Sequence, residues 1–185
     1  MQDDGKLDDL RLGFLASIEV SERGYVGGLL VTNRFGRPLE FQCTSPVKPN
    51  RSQQILYGET LVPYILSDLI GRTLLEKVSI KPHIVLTEQS ELLELRELVS
   101  VPIGCLEEHH DSENESDDSS ASDPETDAEG VVIGRQRLRF HSAHVSDSKI
   151  IERHRPFIPA DADLAEPLER VREALAETSG AGAAR

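Results

Sequence analysis

"RLGFLASIEVSERGYVGGLLVTNRFGRPLEFQCTS", residues 11–45, decides the fold, because it holds three apolar runs that are separated by two short turns. Runs of this length and composition predict β-strands, here residues 11–20, 25–33 and 37–45. The first turn carries Gly24, and the second carries Asn33 and Gly36, residue types that suit hairpin geometry. Three consecutive strands joined by short turns predict an antiparallel meander.

Two glycines, Gly27 and Gly28, lie inside the second predicted strand. Glycine weakens strand pairing and usually marks a β-bulge or the close approach of another part of the chain. Two interpretations follow. Either the pair leaves a gap for a ligand, or it forms a bulge that lets the meander bend around a helix.

Helical character begins directly after the meander. Asn50 and Gln53 have the spacing of a capping box, which predicts a short helix that is interrupted near Gly58. A second helix follows, with apolar residues at helical spacing, and it ends at Gly71 or continues to about Lys77. We expect its apolar face to pack on the meander.

The rest of the chain predicts three further strands and three further helices. The strands are residues 81–88, 99–107 and 131–140, and the helices are residues 89–98, 147–154 and 163–177. The first two of these strands pair either in parallel, through the helix between them, or antiparallel. The last helix is amphipathic and needs a surface on which to dock.

The predicted fold class is α+β. We expect a mainly antiparallel sheet of five to six strands with one principal helix packed on one face, plus a C-terminal amphipathic helix. The domain boundaries follow from composition: a disordered N-terminus at 1–9, a single domain at 10–160, the C-terminal helix at 161–178 and a disordered tail at 179–185.

Most of the net charge of −13 comes from one segment, residues 106–130. This segment holds eleven acidic residues and no Lys or Arg, which predicts a disordered insertion within the domain. The remainder holds 22 acidic residues, the 33 of the whole chain less these eleven, against 20 basic ones. The folded part is therefore nearly neutral and lacks the basic footprint of a nucleic-acid-binding protein.

Cysteine use and hydropathy indicate where the protein works. Cys43 and Cys105 are the two cysteines, and we expect both to be reduced and buried. The chain begins without the pattern of a secretory signal, and no segment has the ~18 apolar residues of a membrane-spanning helix. We therefore expect a cytoplasmic protein that has no membrane partner.

The loop at residues 44–54 is the strongest candidate for a ligand or partner site. It joins a strand to a helix N-terminus, where backbone N–H groups are unpaired and favour anions. Its candidate residues are Thr44, Lys48, Asn50 and Arg51, with Glu59 beyond the first helix. The alternative is a rigid connection, since Pro46 and Pro49 stiffen the turn and no phosphate-binding glycine motif is present.

A second candidate is the strand at residues 131–140. Strand alternation places Arg135, Arg137 and Arg139 on one face, where they can contact an acidic partner, the protein's own acidic segment, or RNA. The alternative is a solvated strand face whose charge prevents edge aggregation. We expect no catalytic residues, no cofactor and no metal ion, although His109 and His110 beside the acidic segment could bind divalent metals weakly.

Three functional hypotheses remain. The first is a non-enzymatic binding or regulatory module that holds a protein partner, or an anionic small ligand, at loop 44–54. The second is a small enzyme that acts on an anionic substrate through the same loop. The third is an RNA-associated protein, which the scarcity of aromatic residues disfavours.

Overall fold

The computed structural model describes residues 9–107 and 130–181, which form one mixed β-sheet with helices on both faces. The strands are β1 (Arg11–Val20), β2 (Gly24–Asn33), β3 (Pro38–Cys43), β4 (Ile84–Thr87), β5 (Ile103–Leu106), β6 (Val131–Ile133) and β7 (Gln136–Arg139). The α-helices are α1 (Arg51–Tyr57), α2 (Leu61–Tyr64), α3 (Arg72–Lys77), α4 (Asp147–His154) and α5 (Glu166–Ala181). A π-helical segment, Ile65–Gly71, joins α2 to α3, and 3-10 segments cover Gly58–Thr60, Ser90–Glu97, Ser142–His144 and Arg155–Phe157.

The α+β class is confirmed, but the predicted sheet needs two corrections. The described sheet has seven strands instead of five or six, in the order β3-β2-β1-β4-β5-β7-β6. The meander β1–β2–β3 is antiparallel as predicted, whereas β4 pairs in parallel with both β1 and β5. The parallel centre arises because helical residues 51–77, and then the segment Ser90–Glu97, carry the chain back across the sheet before the next strand.

The predicted strand at 131–140 is instead a hairpin. Gly134, at φ 57°, forms its turn and separates β6 from β7. β7 then pairs antiparallel with β5, with Arg139 opposite Cys105. The prediction of one strand was wrong because Gly134 supplies the positive φ that a tight turn requires.

Helices cover both faces of the sheet, not one. On one face, the π-helical segment, α3 and Ser90–Glu97 bury residues such as Leu15 and Val85. On the other, α4 and α5 bury residues such as Leu12 and Phe14. The reason lies in the central strands, which are apolar on both sides and so must be covered on both sides.

Gly27 and Gly28 mark the places where the two helical layers approach β2 most closely. A Cβ atom added at Gly27 would overlap Ile70 Cγ2, and one added at Gly28 would lie 3.0 Å from Val171 Cγ1 and 3.1 Å from Leu175 Cδ2. The strand pairing is regular here, since the irregularity in the β2–β3 ladder falls between residues 31 and 32. The pair is therefore neither a bulge nor a gap for a ligand, because core side chains occupy the space.

The predicted disordered segments lie mostly outside the described residues. Residues 108–129, which make up most of the acidic segment, are not described, nor are residues 1–8 and 182–185. α5 extends to Ala181, past the predicted helix end at 178. Among the described helices, none combines the length and the apolar composition that crossing a bilayer requires.

We predict that Gly27→Ala destabilises the protein by about 1–3 kcal/mol, because the new methyl group must displace Ile70 in a packed core. Urea denaturation measures the change. Gly180→Ala is the matched control, since no atom lies within 4 Å of an added Cβ there and stability should be unchanged or slightly higher. The double variant Gly27→Ala/Ile70→Ala should lose less free energy of unfolding than the two single variants lose in sum. Equal stability of wild type and Gly27→Ala would contradict this account.

Candidate functional site

Three of the predicted loop residues hold the loop in place. The Thr44 hydroxyl accepts a hydrogen bond from Gly27 N at 3.0 Å, and Lys48 Nζ donates to the Glu22 carbonyl at 2.7 Å. The Asn50 side chain accepts a hydrogen bond from Gln53 N at 2.8 Å, and Asn50 N donates to Gln53 Oε1 at 2.9 Å, which confirms the predicted capping box. These polar groups form hydrogen bonds within the protein, and these bonds position the start of α1.

The other two candidates near this loop lie on the surface. Arg51 is the first residue of α1 and is exposed, and Glu59 is exposed in the 3-10 turn that follows α1. Gly58, at φ 52°, separates them by ending α1. Loop 44–54 therefore places Arg51 and Glu59 at opposite ends of a short exposed helix.

The structure does not align the three arginines predicted to share a strand face. Arg135 lies in the β6–β7 turn, where its backbone N–H bonds the Ala162 carbonyl at 3.1 Å. Arg137 and Arg139 are both exposed on β7, and Arg137 Nε lies 3.9 Å from a carboxylate oxygen of Glu107. The hairpin thus separates Arg135 from the other two.

Neither cysteine resembles an activated nucleophile. Cys105 is buried, and its burial raises the pKa of the thiol, which disfavours the reactive thiolate. Cys43 is half-buried at the end of β3 and packs against the core on the α5 side. Both thiols are free, as predicted.

The helix α1 is exposed along its whole length. None of its seven residues is buried, although three of them are large hydrophobic residues. Ile55 is 66% exposed and Leu56 is 81% exposed. A short helix that buries nothing gains little stability from its own chain, because packing of an apolar face normally stabilises a helix.

A cleft of about 410 Å³ lies where α1 meets α2, and we call it the tyrosine cleft. The rings of Tyr57 and Tyr64 stack with their centroids 4.6 Å apart. The hydrogen bond between the two side chains, which Tyr64 donates to Tyr57, raises the pKa of Tyr64. The full lining is Tyr57, Glu59, Thr60, Pro63, Tyr64, Asp68 and Glu94. This cleft is aromatic and acidic, and it contains one predicted site residue, Glu59.

A larger groove of about 620 Å³ runs between the β2–β3 turn and the segment after α4, and we call it the arginine groove. Arg34 and Arg155 line it together with Phe35 and Phe157. The Arg34 guanidinium carbon lies 4.8 Å from the centroid of the Phe35 ring, and Phe35 is 69% exposed. None of these residues was predicted, because the chain separates Arg34 from Arg155 by about 120 positions.

A third cluster, which we call the histidine cluster, brings together Glu97, His141 and His144. One donor atom from each residue lies within 4.8 Å of the others. The His-x-x-His spacing at 141–144 was a signal in the sequence, but Glu97 joins it only through the fold. The histidines that we weighed as metal ligands, His109 and His110, lie outside the described residues.

A buried ion pair fixes the two segments that form the histidine cluster. Arg96 Nε lies 2.6 Å and Arg96 Nη2 3.2 Å from the two carboxylate oxygens of Asp147, which is 1% exposed. Arg96 Nη1 also donates to the Val99 carbonyl at 2.7 Å. This bidentate pair therefore ties the segment before β5 to the start of α4.

We predict that Arg96→Ala destabilises the protein by about 3–5 kcal/mol, because it leaves the Asp147 carboxylate buried without a partner. Thermal and urea unfolding measure the loss. The control is Arg72→Ala, which removes an exposed ion pair with Glu76 and should cost no more than about 0.5 kcal/mol. Similar losses from both variants would argue against a structural role for the buried pair.

Neither a protein-family model nor a curated protein sequence matches this chain.

Proposed function

We propose that the protein is a non-enzymatic binding module that holds a basic, amphipathic segment of a protein partner on α1 and the tyrosine cleft. The observation that carries the proposal is the exposure of Ile55 and Leu56 on a helix with no buried residue. Exposed apolar groups of this size, next to polar residues, are typical of protein-binding surfaces.

We infer that the partner has an apolar face from the exposed apolar residues of α1. Burying an exposed Ile or Leu side chain stabilises a complex by roughly 1.5–3 kcal/mol, so Ile55 and Leu56 could dominate the affinity. Tyr57 extends this surface into the cleft, and tyrosine is enriched among the residues that carry most of the binding energy. The helix N-cap at Asn50 and the Lys48 contact keep α1 in a defined position, which lowers the entropy cost of binding.

We infer that the partner has basic residues from the acidic lining of the tyrosine cleft. Glu59, Asp68 and Glu94 line the tyrosine cleft, and no Lys or Arg is among the residues that line it. The stacked rings of Tyr57 and Tyr64 also offer faces to a Lys or Arg side chain. A segment with alternating apolar and basic residues matches both features.

The proposal modifies the expectation for loop 44–54. Thr44, Lys48 and Asn50 support α1 from inside the loop, so contact with the partner falls to the helix and to Glu59. An enzyme at this loop has less support, because the described residues of the loop include no acid, base or nucleophile held ready for chemistry.

The experiment titrates the full chain with a synthetic amphipathic Leu/Lys helical peptide and follows binding by fluorescence anisotropy. We expect Leu56→Glu to weaken binding by about tenfold or more, through loss of apolar contact and added charge. Phe35→Glu is the matched control, since Phe35 is comparably exposed but lies in the arginine groove. A Leu/Glu peptide of the same length should not bind. Equal affinity for both peptides, or no effect of Leu56→Glu, would refute the proposal.

A second candidate function is the binding of a small anionic ligand with an aromatic group in the arginine groove. The pairing of Arg34 and Arg155 with two phenylalanine rings favours it, since guanidinium groups bind anions and Phe rings pack on aromatic groups. Arg155 is exposed, so an anion can reach its guanidinium group from solvent.

For this candidate we predict that anilinonaphthalene sulfonate, a fluorescent aromatic anion, binds the folded protein and that Arg155→Ala weakens its binding by about tenfold. Arg153→Ala is the matched control, because Arg153 is also exposed but does not line the groove. Fluorescence titration gives both affinities. An equal effect of the two variants would show nonspecific binding and rule out the groove.

A further inference from the structure

We propose that Glu97, His141 and His144 bind a divalent transition-metal ion of the Zn²⁺ class, with Glu94 as the residue that orients His141. This inference is independent of the partner-binding function, although Glu94 also lines the tyrosine cleft. It also departs from our expectation of a protein without a metal ion.

The three donor groups are those that Zn²⁺ commonly uses, namely two imidazoles and one carboxylate. Glu97 Oε1 lies 2.9 Å from His144 Nε2 and 3.5 Å from His141 Nδ1. Ligand atoms around a tetrahedral Zn²⁺ with bonds of about 2.0–2.1 Å lie about 3.3 Å apart. The two observed distances bracket this spacing, so small side-chain movements would complete the geometry.

The hydrogen bonding of His141 provides a second argument. Its Nδ1 atom accepts a hydrogen bond from Ala143 N at 3.3 Å, so the proton of a neutral ring lies on Nε2, and a metal ion at Nδ1 would replace this long hydrogen bond. The same nitrogen faces the Glu97 carboxylate oxygen at 3.5 Å. A cation placed between these two electron-rich atoms would interact favourably with both.

The other side of the His141 ring faces a carboxylate group. His141 Nε2 lies 3.8 Å from a carboxylate oxygen of Glu94. A carboxylate that accepts a hydrogen bond from the second ring nitrogen holds the proton there and directs the first nitrogen toward the metal, so we expect Glu94 to move to hydrogen-bond distance when the ion binds. The side chain of His141 is 15% exposed, so the ring has little freedom to turn away.

The supporting structure is rigid on both sides of the cluster. Glu94 and Glu97 lie on the 3-10 segment Ser90–Glu97. His141 precedes the 3-10 turn after β7, and His144 is its last residue. His144 N donates a hydrogen bond to the His141 carbonyl at 2.9 Å, which holds the turn. The buried Arg96–Asp147 pair joins these two segments. The cluster is thus preorganised, as metal sites require for selective binding.

Three protein ligands leave a fourth position for water on a tetrahedral ion. The site borders the tyrosine cleft through Glu94, and His144 is partly exposed, so the ion can enter from solvent. Zn²⁺ is the preferred class because imidazole and carboxylate ligands suit it and it needs no redox partner.

The test is calorimetric titration of the metal-free full chain with ZnCl₂ at about pH 7.5, where free imidazole is neutral. We expect one site that loses at least about tenfold in affinity in His144→Ala and in Glu97→Gln. Glu94→Gln should weaken binding by about 10–100-fold while leaving the ligands in place. His83→Gln, a histidine outside the cluster, should bind Zn²⁺ as the wild type does.

Two further measurements decide between the histidine cluster and other sites on the chain. His109→Ala/His110→Ala tests the acidic segment, and loss of the high-affinity site in this variant would overturn the proposal. NMR of the wild type follows the imidazole nitrogens directly and does not depend on whether a variant folds. Shifts at His141 and His144 on addition of one equivalent of Zn²⁺ would support the site, and unchanged rings would refute it.

Discussion

The fold depends on one steric constraint: the middle of β2 must pass between two helical layers that leave no room for side chains. The missing side chain of Gly27 leaves room for Ile70 of the π-helical segment on one face of the sheet. The missing side chain of Gly28 leaves room for Val171 and Leu175 of α5 on the other face. Both layers therefore reach the same strand at the same level. The rest of the core follows, since strands apolar on both faces are buried only where both layers lie close to the sheet.

The candidate surfaces lie at the margins of this packed centre. The π-helical segment and α3 are fixed in the core, whereas α1, which precedes them, remains exposed. The histidine cluster lies where the segment before β5 meets the turn after β7, and the Arg96–Asp147 pair joins the segment before β5 to the start of α4. A rigid centre with exposed elements at its edges is consistent with the binding function proposed above.

Local patterns in the sequence were sufficient to predict the meander, its turns, the capping box and the end of α1. The sequence left the direction of the central strand pairing undecided, because this direction depends on where the helices cross the sheet. No local sequence pattern contains that information. Polar residues in a connecting loop predicted a site, but Thr44, Lys48 and Asn50 form structural bonds, and sequence cannot distinguish the two uses. Glu97 and His141 were missed as neighbours because 44 positions separate them, and the pairing of β5 with β7 together with the Arg96–Asp147 ion pair brings them together.

The two ends of the acidic segment meet at one residue of the hairpin. Glu107 donates its backbone N–H to the Arg137 carbonyl at 2.9 Å, and Gly130 packs so closely on Arg137 that an added Cβ would lie 2.9 Å from Arg137 Cγ. These two contacts at Arg137 hold the ends of the segment together. Changing the number of residues between 107 and 130 therefore costs only slowly growing closure entropy, and the same position offers an insertion point for a reporter domain.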